Sequence, residues 1–377
     1  MLFLHTSDWH LGRTDDDRSL LDDQRFFIDE ICRVIREKGV GAVLLAGDVF
    51  DRSVASAEAV RLWDDAATRI AGEMGVPLFV IAGNHDGAER LSSCAALLEK
   101  AGFYVSGALT REPKAVLFPD AEVFLLPWVS LEKARAVYPE KAEEMKTLED
   151  AYRVICDGLR SRFSPGKRHF AVAHAFVTGA ETSKSDGAAE IGLAPQVPAS
   201  VFAGFDYVAL GHIHKPQDVG ENARYSGTPM PYAFGKEEKQ TKSVTLIDTE
   251  TLSRDVVELP LLHRRITLTG SPEALLAGDW DEETRNAYLR ICCPDDFVGA
   301  ERQTALLSVF PNALEIYGKV FSDEGSVITL TGEQLDEIVS SPEEVFRWFC
   351  RDELGFDPDA RQTALFMNAV KETEEDV

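Results

Sequence analysis

Residues 76–86 read VPLFVIAGNHD, an apolar run over Val76–Ala82 that stops at the polar sequence Gly83-Asn84-His85-Asp86. A short apolar run bounded in this way predicts a buried strand. On its N-terminal side, apolar residues recur at helical spacing over residues 19–38 and 56–74. Strands separated by helices of this length predict βαβ units and an α/β fold.

Two earlier segments have the same form. Leu2–Thr6 leads into Ser7-Asp8-Trp9-His10, and Ala42–Ala46 leads into Gly47-Asp48. Open α/β sheets bind their ligands at the carboxyl ends of their strands. We therefore expect these polar ends to meet at one edge of a sheet.

The remaining chain predicts a second sheet and then a smaller unit. Strand patterns recur at Glu122–Leu126, His169–Ala173, Tyr207–Leu210, Ser243–Ile247 and Asp255–Leu259. A further α/β unit begins near residue 264, with strands near 264–269, 287–293 and 313–319 and a capped helix start at Ser271-Pro272-Glu273. We predict three regions, at residues 1–263, 264–337 and 338–377.

The last region has the pattern of a helix pair. Ser341-Pro342-Glu343-Glu344 is a typical helix start, and it precedes the apolar residues Val345, Phe346, Trp348 and Phe349. Asp357-Pro358 predicts a second short helix carrying Leu365, Phe366, Ala369 and Val370. Two such helices cannot bury this much apolar surface between themselves. They either fold back on the body or dock on a partner.

Composition limits the classes of function. The 377 residues carry a formal charge of −25, of which −15 lies beyond residue 250. Strong, unaided, non-specific binding to nucleic acid is excluded, because such binding needs excess positive charge. A nucleic-acid substrate held by bound cations and a partner protein is not excluded. The six scattered cysteines, the lack of a signal peptide and the lack of a long apolar run favour a cytoplasmic protein.

Seven side chains at the predicted strand ends and turns could bind metal. They are Asp8, His10, Asp48, Asn84, His174, His212 and His214. Asp8 and His10 are two residues apart, as are His212 and His214, so each pair would point to one side of an extended segment. Oxygen and imidazole donors without thiolate suit Mn²⁺, Fe²⁺ or Zn²⁺. Seven ligands match two ions that share a carboxylate, an arrangement used in phosphoryl displacement.

The motifs resemble those of the calcineurin-like metallophosphoesterases. These are Ser7-Asp8-Trp9-His10, Gly47-Asp48-Val49-Phe50-Asp51, Gly83-Asn84-His85-Asp86, His174 and Gly211-His212-Ile213-His214. Leu11-Gly12, the form GDVFD, residues 179–183 and residues 225–229 further resemble the bacterial SbcD family of nuclease subunits. The resemblance covers about residues 1–260. Thr228 and Gly235 depart from the family's pattern, in a loop outside the metal motifs.

This resemblance implies the fold and the roles of the residues. It implies a two-sheet β-sandwich flanked by helices, with residues 264–337 as a capping domain over the active site. One ion would be held by Asp8, His10, Asp48 and His214. The other would be held by Asp48, Asn84, His174 and His212, so Asp48 would bridge the two. The ions would be Mn²⁺, with Mg²⁺, Fe²⁺ or Zn²⁺ as alternatives. His85 would act as a general acid, and a hydrogen bond that braces its loop is the alternative.

The family also implies an activity and partners. It implies a double-strand exonuclease and single-strand endonuclease that acts on DNA in repair, recombination and replication. Its partner would be an SbcC-type coiled-coil ATPase, bound by residues 338–377, and the chain would form a homodimer within a heterotetramer. Arg13 and Arg52 would either contact DNA phosphates or form ion pairs with Asp15 or Asp51.

Two other functions remain open from the sequence. One is a phosphodiesterase or phosphatase that acts on small molecules or proteins. The GDVFD motif and the apolar tail argue against it. The other is a non-catalytic scaffold braced by metal, which the complete set of seven ligands disfavours. His5, His169 and His263 lie outside the motifs and are assigned no chemistry.

Overall fold

The computed structural model describes most of the chain as two compact units. Described are residues 1–15, 18–189, 195–318, 320, 321, 327, 328, 343, 346, 347, 350 and 358–375. One unit comprises residues 1–232 and 240–262, and the other comprises residues 233–239 and 263–377. The predicted boundaries after residues 263 and 337 stay predictions, as does the capping position of residues 264–337.

The first unit contains two six-stranded sheets. The first has the order Arg254–Glu258, Ser243–Asp248, Leu2–Thr6, Ala42–Leu45, Leu78–Ile81 and Phe103–Ser106. The second has the order Gln217–Val219, Ala223–Tyr225, Tyr207–Gly211, Arg168–His174, Ala121–Leu126 and Ala115–Leu117. Apolar side chains of both sheets, such as Phe3, Phe79, Val123 and Phe170, form one buried cluster. The sheets therefore pack face to face, and the predicted mixed α/β fold with a β-sandwich is confirmed.

The sheet predicted for two of the strands was wrong. Ser243–Asp248 and Arg254–Glu258 belong to the first sheet, where Ser243–Asp248 pairs antiparallel with Leu2–Thr6. They come late in the chain, so sequence order placed them in the second sheet. Leu2–Thr6 is fully enclosed by this pairing, since its other edge pairs in parallel with Ala42–Leu45. The first strand is thus central, and the residues that follow it are held on both sides.

Helices cover the outer faces of the sandwich. They comprise Leu21–Lys38, Ala57–Ala67, Ala88–Leu91, Ala95–Leu98, Leu131–Val137 and Leu148–Arg160, and a π-helix at Thr68–Glu73 continues the second. Short 3₁₀ segments lie at Glu99–Ala101, Pro139–Lys141, Lys184–Ala189 and Ala199–Phe202. Leu21–Lys38 ends at Gly39, whose left-handed backbone (φ 64°) lets its N–H bond to Ile35. Leu148–Arg160 packs its apolar face on the second sheet.

The second unit is a small α/β structure. Its parallel strands are Arg265–Thr269, Tyr288–Cys293 and Ala313–Gly318, and its helices are Pro272–Ala277, Glu282–Asn286 and Ala300–Val309. A 3₁₀ turn at Lys236–Lys239 belongs to the same unit. Short strand pairs lie at Val320–Phe321 with Val327–Ile328, and in the first unit at Thr14–Asp15 with Arg18–Ser19. The Ser271 side chain caps the first helix, as its sequence predicts.

The tail is described in part. The predicted helix start at residues 341, 342 and 344 and the apolar residues Val345, Trp348 and Phe349 lie outside the described residues. The final helix spans Ala360–Glu375, and the Asp359 carboxylate accepts from the N–H groups of Arg361 and Gln362. Asp357, the predicted start of this helix, lies outside the described residues. The Phe346 and Phe366 rings stack with centroids 4.3 Å apart. None of the described helices has the length and apolar character needed to cross a membrane.

Candidate metal centre

The seven side chains singled out in the sequence lie together. Asp8, His10 and His214 form one group, and Asp48, His174 and His212 form another. Within each group, one donor atom of every member lies within 4.8 Å of the others. Asn84 contacts the second group, since its Oδ1 lies 3.0 Å from His174 Nε2 and 3.0 Å from His212 Nδ1.

Backbone hydrogen bonds tie the loops of the centre together. The N–H of Asp8 donates to Gly47 O (3.0 Å), and the N–H of His10 donates to Asp48 O (3.0 Å). The N–H of His212, at the end of a strand in the other sheet, donates to Asp8 Oδ1 (2.9 Å). Loops from both sheets are thereby fixed against each other.

The metal-binding atoms of the centre lie so close together that a cation is required between them. His174 Nδ1 lies 2.8 Å from Ala46 O, so its N–H is used there and Nε2 faces the centre. That nitrogen faces two oxygens, Asn84 Oδ1 at 3.0 Å and Asp48 Oδ2 at 3.3 Å. Acceptors repel one another unless a proton or a metal lies between them.

The spacing suits a divalent metal. Ligands at 2.0–2.2 Å from one ion are separated by about 3.0–3.5 Å. His10 Nε2 and His214 Nε2 are 3.1 Å apart, which fits two ligands of one ion. Among the buried side chains that the structure describes, His10 Nδ1 and His212 Nε2 have no hydrogen-bond partner.

The pKa values of the histidines are consistent with a metal site. Burial alone would lower the pKa of His174, but the Asp48 carboxylate outweighs it and raises that pKa to about 9. Burial lowers the pKa of His10 and of His214 well below the usual value, so both rings are neutral at pH 7. Neutral imidazoles are the form that binds metal.

The two carboxylates differ in their surroundings. Burial opposes ionisation of Asp48, but the imidazoles of His174 and His85 outweigh it and hold its pKa well below the usual value. Burial raises the pKa of Asp8 to about 7, and the nearby Asp48 charge adds to this rise. Asp48 is therefore the fixed negative charge of the centre.

The backbone at the centre is strained. Non-glycine residues with positive φ in the described part of the chain are Asp8 (55°), His10 (45°), Asp48 (50°), Cys94, His212 (102°) and Leu252. Four of these are predicted ligands, and left-handed backbone costs roughly 1–2 kcal/mol for such residues. The extended-segment geometry expected for Asp8 with His10, and for His212 with His214, is therefore wrong. Left-handed turns orient these side chains, and His212 and His214 join different groups.

Glycines precede three of the ligands because the loops pack without room for a side chain. A methyl group at Gly83 would overlap Asp48 Oδ1, and one at Gly211 would overlap Ala46 O. A methyl group at Gly47 would overlap His174 Nδ1, and its φ of 87° also favours glycine. The glycines in the sequence motifs are thus explained by close approach.

His85 lies at the solvent-exposed side of the centre. Its backbone N–H donates to Asp48 Oδ1 (2.9 Å), and its Nδ1 lies 2.9 Å from Asp51 O. Burial acts to lower the pKa of His85, but the Asp48 charge and the Asp51 carbonyl outweigh it, so that pKa is raised. With Nδ1–H donated to Asp51, Nε2 is free for a substrate.

Two supporting residues have roles that the sequence did not predict. The Asp86 carboxylate accepts from the N–H groups of Val49 (3.1 Å), Phe50 (2.9 Å) and Gly83 (2.8 Å), and so joins the loops of Asp48 and Asn84. Asp86 belongs to the motif at residues 83–86, but its type and position there do not indicate this role. The hydroxyl of Ser185 contacts His214 Nδ1. No spacing in the sequence links Ser185 to His214, and only the fold brings them together.

Other basic and histidine residues have ordinary surroundings. Arg13 and Arg52 lie 3.9 and 3.8 Å from the Asp51 carboxylate, and the Arg13 guanidinium lies 4.9 Å from the centre of the Tyr232 ring. His5 is buried, with Nδ1 at 2.9 Å from Tyr207 Oη and Nε2 at 3.1 Å from Leu210 O. The cysteines are all free, and Cys94 is exposed rather than buried.

Comparison with known proteins identifies the class. The family described as calcineurin-like phosphoesterases matches residues 1–216. The chain belongs to this family of metallophosphoesterases. It is also similar to bacterial proteins named as the SbcD component of the SbcCD nuclease. That of Bacillus subtilis (strain 168) is 35% identical over 262 residues, which cover 66% of this chain and 66% of that protein.

Two staphylococcal proteins of the same name match over a longer range. The Staphylococcus epidermidis protein is 26% identical and covers 85% of this chain and 86% of its own length. The Staphylococcus saprophyticus protein is 26% identical and covers 87% of both chains. The similarity therefore extends beyond the phosphoesterase match at residues 1–216.

Proposed function

We propose that this chain is a Mn²⁺-dependent DNA nuclease that hydrolyses phosphodiesters with two metal ions. It would act as a double-strand exonuclease and single-strand endonuclease. The convergence of Asp8, His10, Asp48, Asn84, His174, His212 and His214 on one centre carries this proposal. The similarity to proteins named as components of the SbcCD nuclease supports DNA as the substrate.

Each ion would have its own ligands. Asp8, His10 and His214 would hold one, and Asn84, His174 and His212 would hold the other. Asp48 would bridge them, since its Oδ2 lies 3.8 Å from His10 Nε2 and 3.3 Å from His174 Nε2. Divalent ions bound here would acidify a water and neutralise the charge that develops on the phosphate.

His85 would supply the proton for the leaving oxygen. Its exposed position puts Nε2 on the side from which substrate must enter, and the Asp51 carbonyl holds the ring by Nδ1. A positioned imidazole with a raised pKa carries a proton near neutral pH. Arg13 would contact a phosphate that flanks the scissile bond once its ion pair with Asp51 opens.

The net negative charge of the chain favours a partner protein that binds DNA. A net charge of −25 weakens binding to DNA, so a partner protein would strengthen the hold of the chain on the duplex. We propose an SbcC-type coiled-coil ATPase for this role, bound through residues 338–377, with the chain as a homodimer in a cytoplasmic DNA-repair complex. Leu365 is 62% exposed on the final helix and is available for such docking.

Cleavage assays with the purified chain test the proposal. We expect end-labelled duplex DNA and circular single-stranded DNA to be cut with Mn²⁺, and cleavage to stop when a chelator is added. Adding the ATPase should increase duplex cleavage in an ATP-dependent way. The variant His85→Ala is the matched control against a contaminating nuclease. A preparation that hydrolyses a chromogenic diester but leaves DNA uncut would refute the nuclease assignment and support a small-molecule phosphodiesterase.

A further inference from the structure

Trp128 joins the two sheets beside the metal centre. It follows the strand Ala121–Leu126 of the second sheet. Its backbone N–H donates to Ala82 O at 2.8 Å, immediately before the loop that carries Asn84 in the first sheet. The position of Trp128 relative to that loop is therefore fixed by the backbone.

The Trp128 ring lies against two predicted ligands. Its centroid is 5.3 Å from that of His212, with 29° between the planes, and 5.9 Å from that of His174, with 78° between the planes. The first is an offset stack and the second an edge contact, both favourable arrangements for aromatic rings. Phe176 makes only a more distant, tilted contact with His212, at 6.2 Å.

His212 depends on ring contacts more than His174 and His214 do. His174 is held by its Nδ1 contact with Ala46 O, and His214 by its Nδ1 contact with Ser185. His212 has Nδ1 at 3.0 Å from Asn84 Oδ1 and no hydrogen-bond partner at Nε2. Its backbone is strained as well, with φ at 102°. The His174 ring contacts that of His212 edge-on at 5.1 Å, and Trp128 is the ring that stacks on its face. Stacking on Trp128 is therefore a main contact that sets the plane of this imidazole.

We propose that Trp128 is a positioning residue that controls affinity for the ion held by Asn84, His174 and His212. Residues that orient metal ligands typically contribute about 10- to 100-fold to metal affinity. Loss of the Trp128 ring should weaken this ion by a similar factor. The ion held by Asp8, His10 and His214 should bind as before, because Trp128 does not contact that group. The inference rests on the proposed two-ion centre.

Mn²⁺ binding to full-length variants tests this inference. The variant Trp128→Leu keeps apolar volume without an aromatic face, and Trp128→Phe restores one. Trp280→Leu is the matched control, since Trp280 contacts Phe310 in the second unit. Binding is measured by calorimetry, and electron paramagnetic resonance distinguishes a spin-coupled Mn²⁺ pair from a single ion.

We expect two Mn²⁺ ions in the wild type, in Trp280→Leu and in Trp128→Phe. In Trp128→Leu, one site should weaken about tenfold or more, with a single-ion spectrum at limiting Mn²⁺. Two ions bound with wild-type affinity in Trp128→Leu would overturn the inference and leave the proposed function intact. Fewer than two ions in the wild type would overturn the two-ion centre and this inference with it. If Trp128→Leu does not fold, the folded variant Trp128→Phe decides the question. A spectrum without spin coupling in Trp128→Phe would overturn the inference, and a spin-coupled spectrum would support it.

Discussion

The backbone N–H of His85 donates a 2.9 Å hydrogen bond to Asp48 Oδ1. The residue proposed as the acid is thus fixed to the carboxylate proposed as the bridge. This bond uses the His85 backbone, so removing the imidazole leaves it in place. The chemistry of the side chain can therefore be tested with this hydrogen bond to the ligand intact.

We predict that His85→Ala retains both metal ions and loses phosphodiester cleavage by about 10²- to 10⁴-fold, the usual contribution of a general acid. Metal content and DNA cleavage are measured on the same preparation. A thymidine nitrophenyl diester is the informative control, because its leaving group departs as a stable anion and needs no proton. Equal losses on DNA and on this diester would contradict a proton-donating role.

We predict that Asp48→Ala loses both ions. Asp48 is the negative charge shared by the two groups of ligands, with carboxylate oxygens near His10 and His174. Calorimetric titration with Mn²⁺ measures the loss. Asp157→Ala is a matched control, since Asp157 is an exposed carboxylate paired with Arg160. An Asp48→Ala variant that still binds two ions would remove the bridging role.

A third prediction concerns Gly83→Ala. A methyl group there would overlap the Asp48 carboxylate, so the two loops must move apart and Mn²⁺ binding should be lost. Gly158→Ala is the matched control, since Gly158 lies inside the helix Leu148–Arg160 with open space around it. That change should stabilise the protein by about 1 kcal/mol, which thermal unfolding would measure. Wild-type Mn²⁺ affinity in Gly83→Ala would show that the loops are not closely packed.

The sequence predicted the residues of the centre better than their geometry. The strands that lead to Asp8, Asp48 and Asn84 were recognisable because an apolar run followed by polar residues, with Gly before Asp48 and Asn84, is a local signal. The left-handed turns at Asp8 and His10 were not recognisable in the sequence, because only contacts between loops stabilise such strained backbone. The role of Trp128 was not predictable either, because its contact with His212 joins residues 84 positions apart and no local pattern records it.

The prediction of strand order was limited for the same reason, because strand pairing also depends on residues far apart in the sequence. The pairing of Ser243–Asp248 with Leu2–Thr6 joins the two ends of the first unit. An apolar strand pattern indicates burial but does not specify a partner strand. Sequence order therefore predicted three of the parallel strands of the first sheet, but not the fourth, Phe103–Ser106, or the antiparallel edge.

Acid stability gives a fourth prediction, which does not depend on metal. Burial lowers the pKa of His5 to about 3, from 6.5, with the Leu210 carbonyl opposing this shift only in part. The unfolded chain therefore binds a proton at His5 that the folded protein does not. This contribution to stability is fully present above pH 6.5 and falls by about 1.4 kcal/mol per pH unit between pH 6.5 and 3.

Replacing His5 should remove this part of the pH dependence. Between pH 7 and pH 5, the metal-free wild type should lose about 2 kcal/mol more of its unfolding free energy than His5→Gln, as measured by urea titration. Tyr207→Phe is the control, because it removes the hydroxyl beside His5 Nδ1 but keeps the titrating ring. It should lower stability at both pH values and retain the wild-type difference between them. If His5→Gln lost as much stability on acidification as the wild type, other groups would have to account for the acid sensitivity, and His5 would not be the buried neutral imidazole that its contacts indicate.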